Sequence, residues 1–376
     1  MAPIGTALIG LGKIAPAHAD ALVSLPRSRL VAVFDESADL VRPFAERYRA
    51  RPCSSLADAI DDPDVQLVDI CTPHPTHAEI AVRAAAAGRH VLVEKPMAPS
   101  LAGCDAMIEA AGRTGVRLGV VSQRRWYEPV RRMRQAISEE RIGEPALGTV
   151  TLLGWRDEDY YRLAPWRGTW AGEGGGVLVN QASHHLDLFQ WLMGPVREVF
   201  GYWANLNHPY IEVEDSAVAV LRFASGAIGA VVLSNSQRPG LYGRIHVHGR
   251  SGASVGVQTE TGSSFVAGVT ARVEPAFNDV WTVPGEEEML ARWQKEDADF
   301  FAGIDATKHY HRLQIRDFLR AILEGREPLV PGEEGRKTVE IFTAIYRSQR
   351  DGRPVRFPLQ PEKGRTDFDG RRAGAP

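Results

Sequence analysis

Cysteine is scarce: the 376-residue chain holds three, Cys53, Cys71 and Cys104, and no pair has C-x-x-C spacing. That excludes a disulfide framework and a cysteine zinc site, and it fits a reducing cytoplasm. No apolar run approaches the ~18 residues of a membrane span. The opening residues, Met1-Ala-Pro-Ile-Gly-Thr6, lack the basic start of a signal peptide and run straight into a strand pattern. A cytoplasmic location is the expectation. Net charge is only −3, with no basic excess to hold a nucleic acid. No internal repeat is present.

What is there is ordinary for a soluble globular protein, with 44% hydrophobic and 24% charged residues. The length suggests two domains. Thr6 to Gly10 has the pattern of a short buried strand, and an alanine-rich helix begins near Ala17. Between them stands Gly10-Leu-Gly12-Lys13-Ile14-Ala15, a G-x-G-x-x-A turn. The first glycine permits the tight turn, the second lets backbone approach a pyrophosphate, and Ala15 allows close helix packing. The helix N-terminus favours the phosphate charge. A second strand, Leu30 to Phe34, ends in Asp35, an acid placed to accept hydrogen bonds from adenosine ribose hydroxyls and to repel a 2′-phosphate. This points to NAD over NADP; the competing reading of Asp35 is a helix cap before Ser37.

The alternation continues through strands at Val65–Cys71, His90–Glu94 and Arg117–Val121, with helices at Ser54–Ile60, Glu79–Ala87 and Leu101–Gly112. Such spacing implies a parallel sheet whose ligands bind at the carboxyl ends of the strands. Those ends carry Gly10, Asp35, Thr72-Pro73-His74, Glu94-Lys95-Pro96 and Gln123. His74 and His77 read as loop and helix-start residues, because no further carboxylate or thiol completes a metal set; no metal is expected.

After Gln123 the pattern changes. A basic helix, Pro129–Arg141, leads through a strand near Gly148–Leu153 to a loop rich in aromatics and arginine: Trp155, Arg156, Tyr160, Tyr161, Arg162, Trp166, Arg167, Trp170. Gly172 to Gly194 then reads as one glycine-led amphipathic helix. At about 100° per residue, Asn180, His184 and Asp187 share a face, while Ala182, Leu186, Phe189 and Met193 form a core stripe. Clustered strands at Val196–Leu206, Asp215–Phe223, Ala227–Asn235, Arg244–Gly249 and Ala253–Val257 imply a largely antiparallel sheet, with a turn at Ser225-Gly226. Helices follow at Glu286–Phe301, Tyr310–Glu324 and Glu333–Gln349. The expected organisation is an α/β domain over 1–123, an α+β domain over 124–359 and a polar, unstructured tail over 360–376.

Together these residues resemble the glucose–fructose oxidoreductase / inositol dehydrogenase / rhizopine-catabolism family, Gfo/Idh/MocA. The matching pieces are the Gly10–Ala15 turn, Thr72-Pro73-His74 with His77, and Glu94-Lys95-Pro96. They continue with Trp166-Arg167, Gly174-Gly-Gly176 through His184 and Asp187, and Glu214-Asp215. The resemblance spans about residues 5 to 358. It implies a Rossmann domain with a nicotinamide cofactor, and a C-terminal domain whose open sheet makes homo-oligomer contacts. It also implies oxidation or reduction of a sugar, sugar derivative or cyclitol. By position, Lys95 would touch the nicotinamide ribose and the reacting oxygen, and His184 would be the acid/base. Gly10, Gly12, Lys13, Ile14, Asp35, Thr72, Pro73, His74, His77, Glu94, Gln123, Trp166 and Arg167 would hold the cofactor. Arg124, Trp155, Tyr160, Asn180 and Asp187 would face substrate; Trp155 and Tyr160 could equally pack over the core, and Asp187 could orient the imidazole or sit against the domain core. Asn180 departs from the Asp of many members, which removes a carboxylate relay. Two other readings stay open: NAD-assisted glycoside cleavage through transient oxidation, and a non-catalytic cofactor-binding sensor.

Overall fold

A computed structural model describes residues 2–261 and 275–362, so most of the stretch read as a tail lies outside the described residues. Contacts divide the chain into two units. The first runs to Gln123 and also takes Ala306–Arg336; among the described residues the second holds 124–261, 275–305 and 337–362.

In the first unit, β1 (Ile4–Ile9), β2 (Ser28–Phe34), β3 (Arg51–Pro52), β4 (Leu67–Ile70), β5 (His90–Val93) and β6 (Leu118–Val120) pair in parallel in the order β3-β2-β1-β4-β5-β6. Helices α1 (Ala15–Ser24), α2 (Ala38–Tyr48), α3 (Leu56–Ile60), α4 (His77–Ala86) and α5 (Leu101–Thr114) connect them. The order reverses between β1 and β4, which places a ligand crevice at the carboxyl ends of those strands. The contiguous domain reading gave helix Ala306–Glu324 to the second domain. The structure gives it to the first, because Ile315, Phe318 and Leu319 are buried in one core with Leu8, Leu22 and Leu92. Gly119 admits that helix: a Cβ there would lie 2.6 Å from the Phe318 ring.

The second unit begins with α6 (Glu128–Ser138), followed by β7 (Pro145–Leu153), α7 (Glu158–Arg162), α8 (Trp170–Glu173) and α9 (Ser183–Met193). Strands β8 (Val196–Ala204), β9 (Ser216–Phe223), β10 (Ile228–Ser234), β11 (Tyr242–Gly249), β12 (Ser254–Thr261), β13 (Phe277–Trp281) and β14 (Val355–Arg356) join β7 in the order β13-β12-β11-β7-β10-β9-β8-β14. Only β7 and β10 pair in parallel; the sheet is mixed and mostly antiparallel. Then come α10 (Met289–Ala302), α11 (Ala306–Glu324, already placed in the first unit) and α12 (Gly332–Asp351). Strand β9 alternates as a one-faced sheet should: Ala217, Ala219, Leu221 and Phe223 are buried while Val218, Val220 and Arg222 are exposed. The buried face meets α9. A Cβ on Gly148 or Gly229 would lie 2.6 or 2.7 Å from the Phe189 ring, so this glycine pair lets α9 seat closely.

Among the described residues, no helix is long and apolar enough to cross a membrane.

Candidate active site

The carboxyl edge of the first sheet carries the residues expected at a cofactor. Gly10 has φ +88°, and a Cβ there would stand 2.7 Å from the Cys71 carbonyl carbon and the Thr72 nitrogen. No other residue type fits that turn. At Gly12 a Cβ would meet nothing within 4 Å, so this side of the loop is open. Lys13 is exposed, Ile14 half-buried, and α1 starts directly after them. Asp35 sits at the end of β2. Its Oδ2 accepts the Leu11 N–H at 2.7 Å and its Oδ1 accepts the Ser37 N–H at 2.8 Å. The carboxylate thus ties the glycine turn to β2 and closes a tight turn just ahead of α2, and each oxygen keeps a second lone pair for a ribose hydroxyl.

Thr72 and Pro73 follow β4, and His74 begins a short 3-10 turn. His77 corrects the expectation of a cofactor contact. It is fully buried, with Nδ1 3.0 Å from the Pro96 carbonyl oxygen and Nε2 2.8 Å from that of Thr72. Burial holds its ring below the usual histidine range, although both carbonyls favour the cation. It stitches the Thr72 loop to the Glu94-Lys95-Pro96 turn instead. Glu94 is buried, Lys95 half-buried, and the Lys95 N–H donates to Glu94 Oε2 at 3.0 Å. The Gln123 side-chain oxygen is buried without a hydrogen-bond partner.

In the second unit, the helix expected from Gly172 starts only at Ser183. Gly174 caps α8 at φ +85°, Gly175 has φ +150°, and a Cβ on Gly176 would sit 1.8 Å from the Glu214 carbonyl oxygen. The glycines serve a tight passage against Glu214 and break the helical pattern. Turns carry the chain from Val177 to Ala182, so Asn180 precedes α9 rather than riding on it. Within α9 the core stripe stands as read: Ala182, Leu186, Phe189 and Met193 are buried.

Glu214 holds this passage. Its carboxylate accepts the Gly176 and Leu178 N–H groups at 2.9 and 3.0 Å and the Tyr346 hydroxyl at 2.8 Å. Burial without a cation pushes its pKa up to about 7, against the pull of those donors. Asn180 is half-buried; its amide nitrogen donates to Glu173 and, at 3.2 Å, to the Tyr160 oxygen. Gln181 also donates to that oxygen at 2.9 Å, as does Arg167. The Tyr160 ring lies between two guanidinium groups, Arg156 at 5.3 Å and Arg167 at 4.4 Å, and Arg167 also stacks on Trp166 at 4.6 Å. Trp155 carries Arg238 over its face at 4.2 Å. Burial pushes the Tyr160 phenol up, with Glu173 adding and the guanidiniums opposing. Arg124 is buried.

His184 is half-buried, whereas its neighbour His185 is buried against Thr259 and held neutral by burial. Asp187 takes the core placement rather than the ligand-facing one. It is 5% exposed, and both its oxygens accept from the buried Arg125 at 2.9 and 2.6 Å. An acid inside a packed helix face needs such a partner. The sequence reading missed Arg125, Glu173, His18, Asp69 and His311. Asp69 had a visible signal, an acid inside the apolar run Leu67–Ile70.

Residues 4–122 match the oxidoreductase family with an NAD-binding Rossmann fold, and 130–255 match the GFO/IDH/MocA C-terminal domain. The chain belongs to the Gfo/Idh/MocA family. It is 28% identical to the myo-inositol 2-dehydrogenase of Thermotoga maritima, across 93% of this chain and 97% of that one. It is 26% identical to the scyllo-inositol 2-dehydrogenase (NAD(+)) of Bacillus subtilis, across 94% and 96%. Among solved structures, the WlbA dehydrogenase of Bordetella pertussis in complex with NADH and UDP-GlcNAcA matches with TM-score 0.80 at 32% identity, across 95% and 100%. This Gfo/Idh/MocA member is an oxidoreductase acting on CH–OH donors, and its first unit is an NAD-binding Rossmann domain. The residues fit that cofactor: an open Gly12, an acid at the end of β2, and an unpartnered Gln123 oxygen.

Proposed function

We propose that the protein oxidises or reduces a secondary alcohol of a sugar, sugar derivative or cyclitol, with Lys95 and His184 as its catalytic pair. The observation that carries this reading is Lys95 leaving β5 at the carboxyl edge of the NAD-binding sheet, its amide anchored on Glu94. When bound, the nicotinamide accepts or returns the hydride. The Lys95 ammonium stabilises the alkoxide charge that develops on the substrate oxygen. His184 takes the hydroxyl proton on a ring nitrogen, a task suited to an imidazole, which can both accept and return a proton. Tyr160 suits that task less, since burial keeps its proton on. The Asn180 amide nitrogen donates to Glu173 and Tyr160, which fixes its orientation, and an amide takes no proton.

Relatives named for inositols and levoglucosan support a polyhydroxylated ring as substrate. Trp155 and Tyr160 suit its C–H faces, and Arg124 and Arg167 its oxygens. We further propose a homo-oligomer formed through the open face of the second sheet, acting in the cytoplasm. Tyr202, Val218, Val220 and Ile228 on that face are 64%, 51%, 58% and 55% exposed, an apolar surface that a second copy would cover.

The test is turnover of the purified protein on a panel of sugars and inositols with NAD and NADP separately, followed by kcat/KM against pH. A limb near neutrality that disappears in His184→Ala supports the pair. Near-normal turnover of that variant on a confirmed substrate would place the base elsewhere.

A further inference from the structure

Four titratable side chains meet in the interior of the first unit. His18 comes from α1, Asp69 from β4, Glu94 from the end of β5 and His311 from α11. His18 and Asp69 are fully buried and His311 is 2% exposed. His18 Nδ1 lies 3.0 and 2.9 Å from the two Asp69 oxygens, and its Nε2 lies 2.9 Å from Glu94 Oε1. Ionised carboxylates accept and never donate, so both ring nitrogens carry protons. A neutral ring would leave one nitrogen lone pair facing a carboxylate oxygen away from water.

The charges agree with this assignment. Burial alone pushes the His18 ring down, but the Asp69 carboxylate outweighs it and holds the ring well above the usual histidine range. Burial likewise pushes Glu94 up, and hydrogen bonds from His18 and His311 hold it well below the carboxylate range. Burial pushes the Cys71 thiol up to about 12, so it stays a thiol. His311 Nδ1 bonds the Thr307 carbonyl at 2.6 Å, and its Nε2 stands 3.4 Å from Glu94 Oε1.

Glu94 passes this contact on. One oxygen takes the His18 proton, and the other takes the Lys95 N–H at 3.0 Å. We propose that His18 is a positioning residue: as a buried imidazolium it bridges Asp69 and Glu94, fixes the strand end from which Lys95 leaves, and locks α1 against the sheet whose edge receives the dinucleotide. The Lys95 part rests on the reading of Lys95 as a catalytic residue; the cofactor part does not. Packing alone would call for an apolar side chain among Leu8, Leu22 and Leu92. The ligand-type atoms of His18, Glu94 and His311 lie within 4.8 Å of one another. A cation there would displace the proton that His18 shares with Glu94, so metal content is part of the test.

The charge-balanced variant His18→Gln with Asp69→Asn is compared with wild type in thermal unfolding, NADH titration by fluorescence, and kcat on a confirmed substrate. The expected result is a Tm close to wild type, with NADH binding and kcat each weakened about 10–100-fold, the scale of a small misplacement of reacting groups. A folded variant with wild-type NADH affinity and kcat overturns the proposal. Should no substrate be found, NADH affinity still decides the α1 part. Should the variant fail to fold, histidine-selective nitrogen NMR of the wild-type protein decides the protonation. One of the eleven histidines must keep both ring N–H signals at mildly alkaline pH. Loss of every such signal, or a stoichiometric metal in the purified protein, overturns it.

Discussion

Two acids in the second unit differ in what they were given to bind. Asp187 received the Arg125 fork and became a buried ion pair; Glu214 received only neutral donors and titrates near 7. Because the folded pKa of Glu214 is raised, the native state holds its proton more tightly than the unfolded chain does. The stability it contributes is complete below the ordinary glutamate range and is lost as pH rises through about 7, by at most about 1.4 kcal/mol per unit. Glu214→Gln should therefore flatten the fall of Tm between pH 5 and pH 8, within about that slope. An unchanged slope would show that other groups set it. At the proposed catalytic pair, His184→Ala should lower kcat by about 10²–10⁴-fold. Lys95→Ala should cost at least as much and weaken cofactor binding too; steady-state kinetics and NADH titration check both. Asp35→Ser should erode a preference for NAD over NADP of roughly 1–3 kcal/mol, the scale of a badly paired buried charge. Parallel titrations with both cofactors read it, and tighter NADP binding by wild type would contradict it.

Among the elements, α9 shows how far periodicity reaches. Its buried stripe is legible because four apolar residues recur at helical spacing. Its start is not, because Gly174–Gly176 are fixed by Glu214 and Tyr346, which lie far along the chain. Gly176→Ala should drive a methyl into the Glu214 carbonyl. We expect a loss of about 1–3 kcal/mol or more in denaturant unfolding, along with reduced turnover. Wild-type stability in that variant would mean that the passage is looser than described. Helix α11 gives the same lesson in reverse. Its apolar stripe marks a packed helix, but only the core it joins assigns it to the first unit.

Over the whole molecule, the open sheet face makes its own prediction. Val220→Glu, with Val218→Glu if needed, should shift the species seen by light scattering toward a smaller one at little cost in Tm, since both side chains are exposed within one chain. An unchanged mass would move the oligomer contact elsewhere. The sequence by itself determined both architectures, because strand–helix alternation and clustered strands are written in local periods of hydrophobicity. It also determined the glycine turn after β1, because Gly10, Gly12 and Asp35 sit under backbone constraints local to one βαβ unit. The tertiary structure alone decided the partners of buried charge: Arg125 for Asp187, carbonyl oxygens for His77, and a bridge from His18 to Asp69 and Glu94. Apart from the Thr72 carbonyl, five residues before His77, those pairings span 19 to 76 residues of chain. No local period encodes them; they follow from the cost of leaving a buried polar group unpaired once the elements have packed.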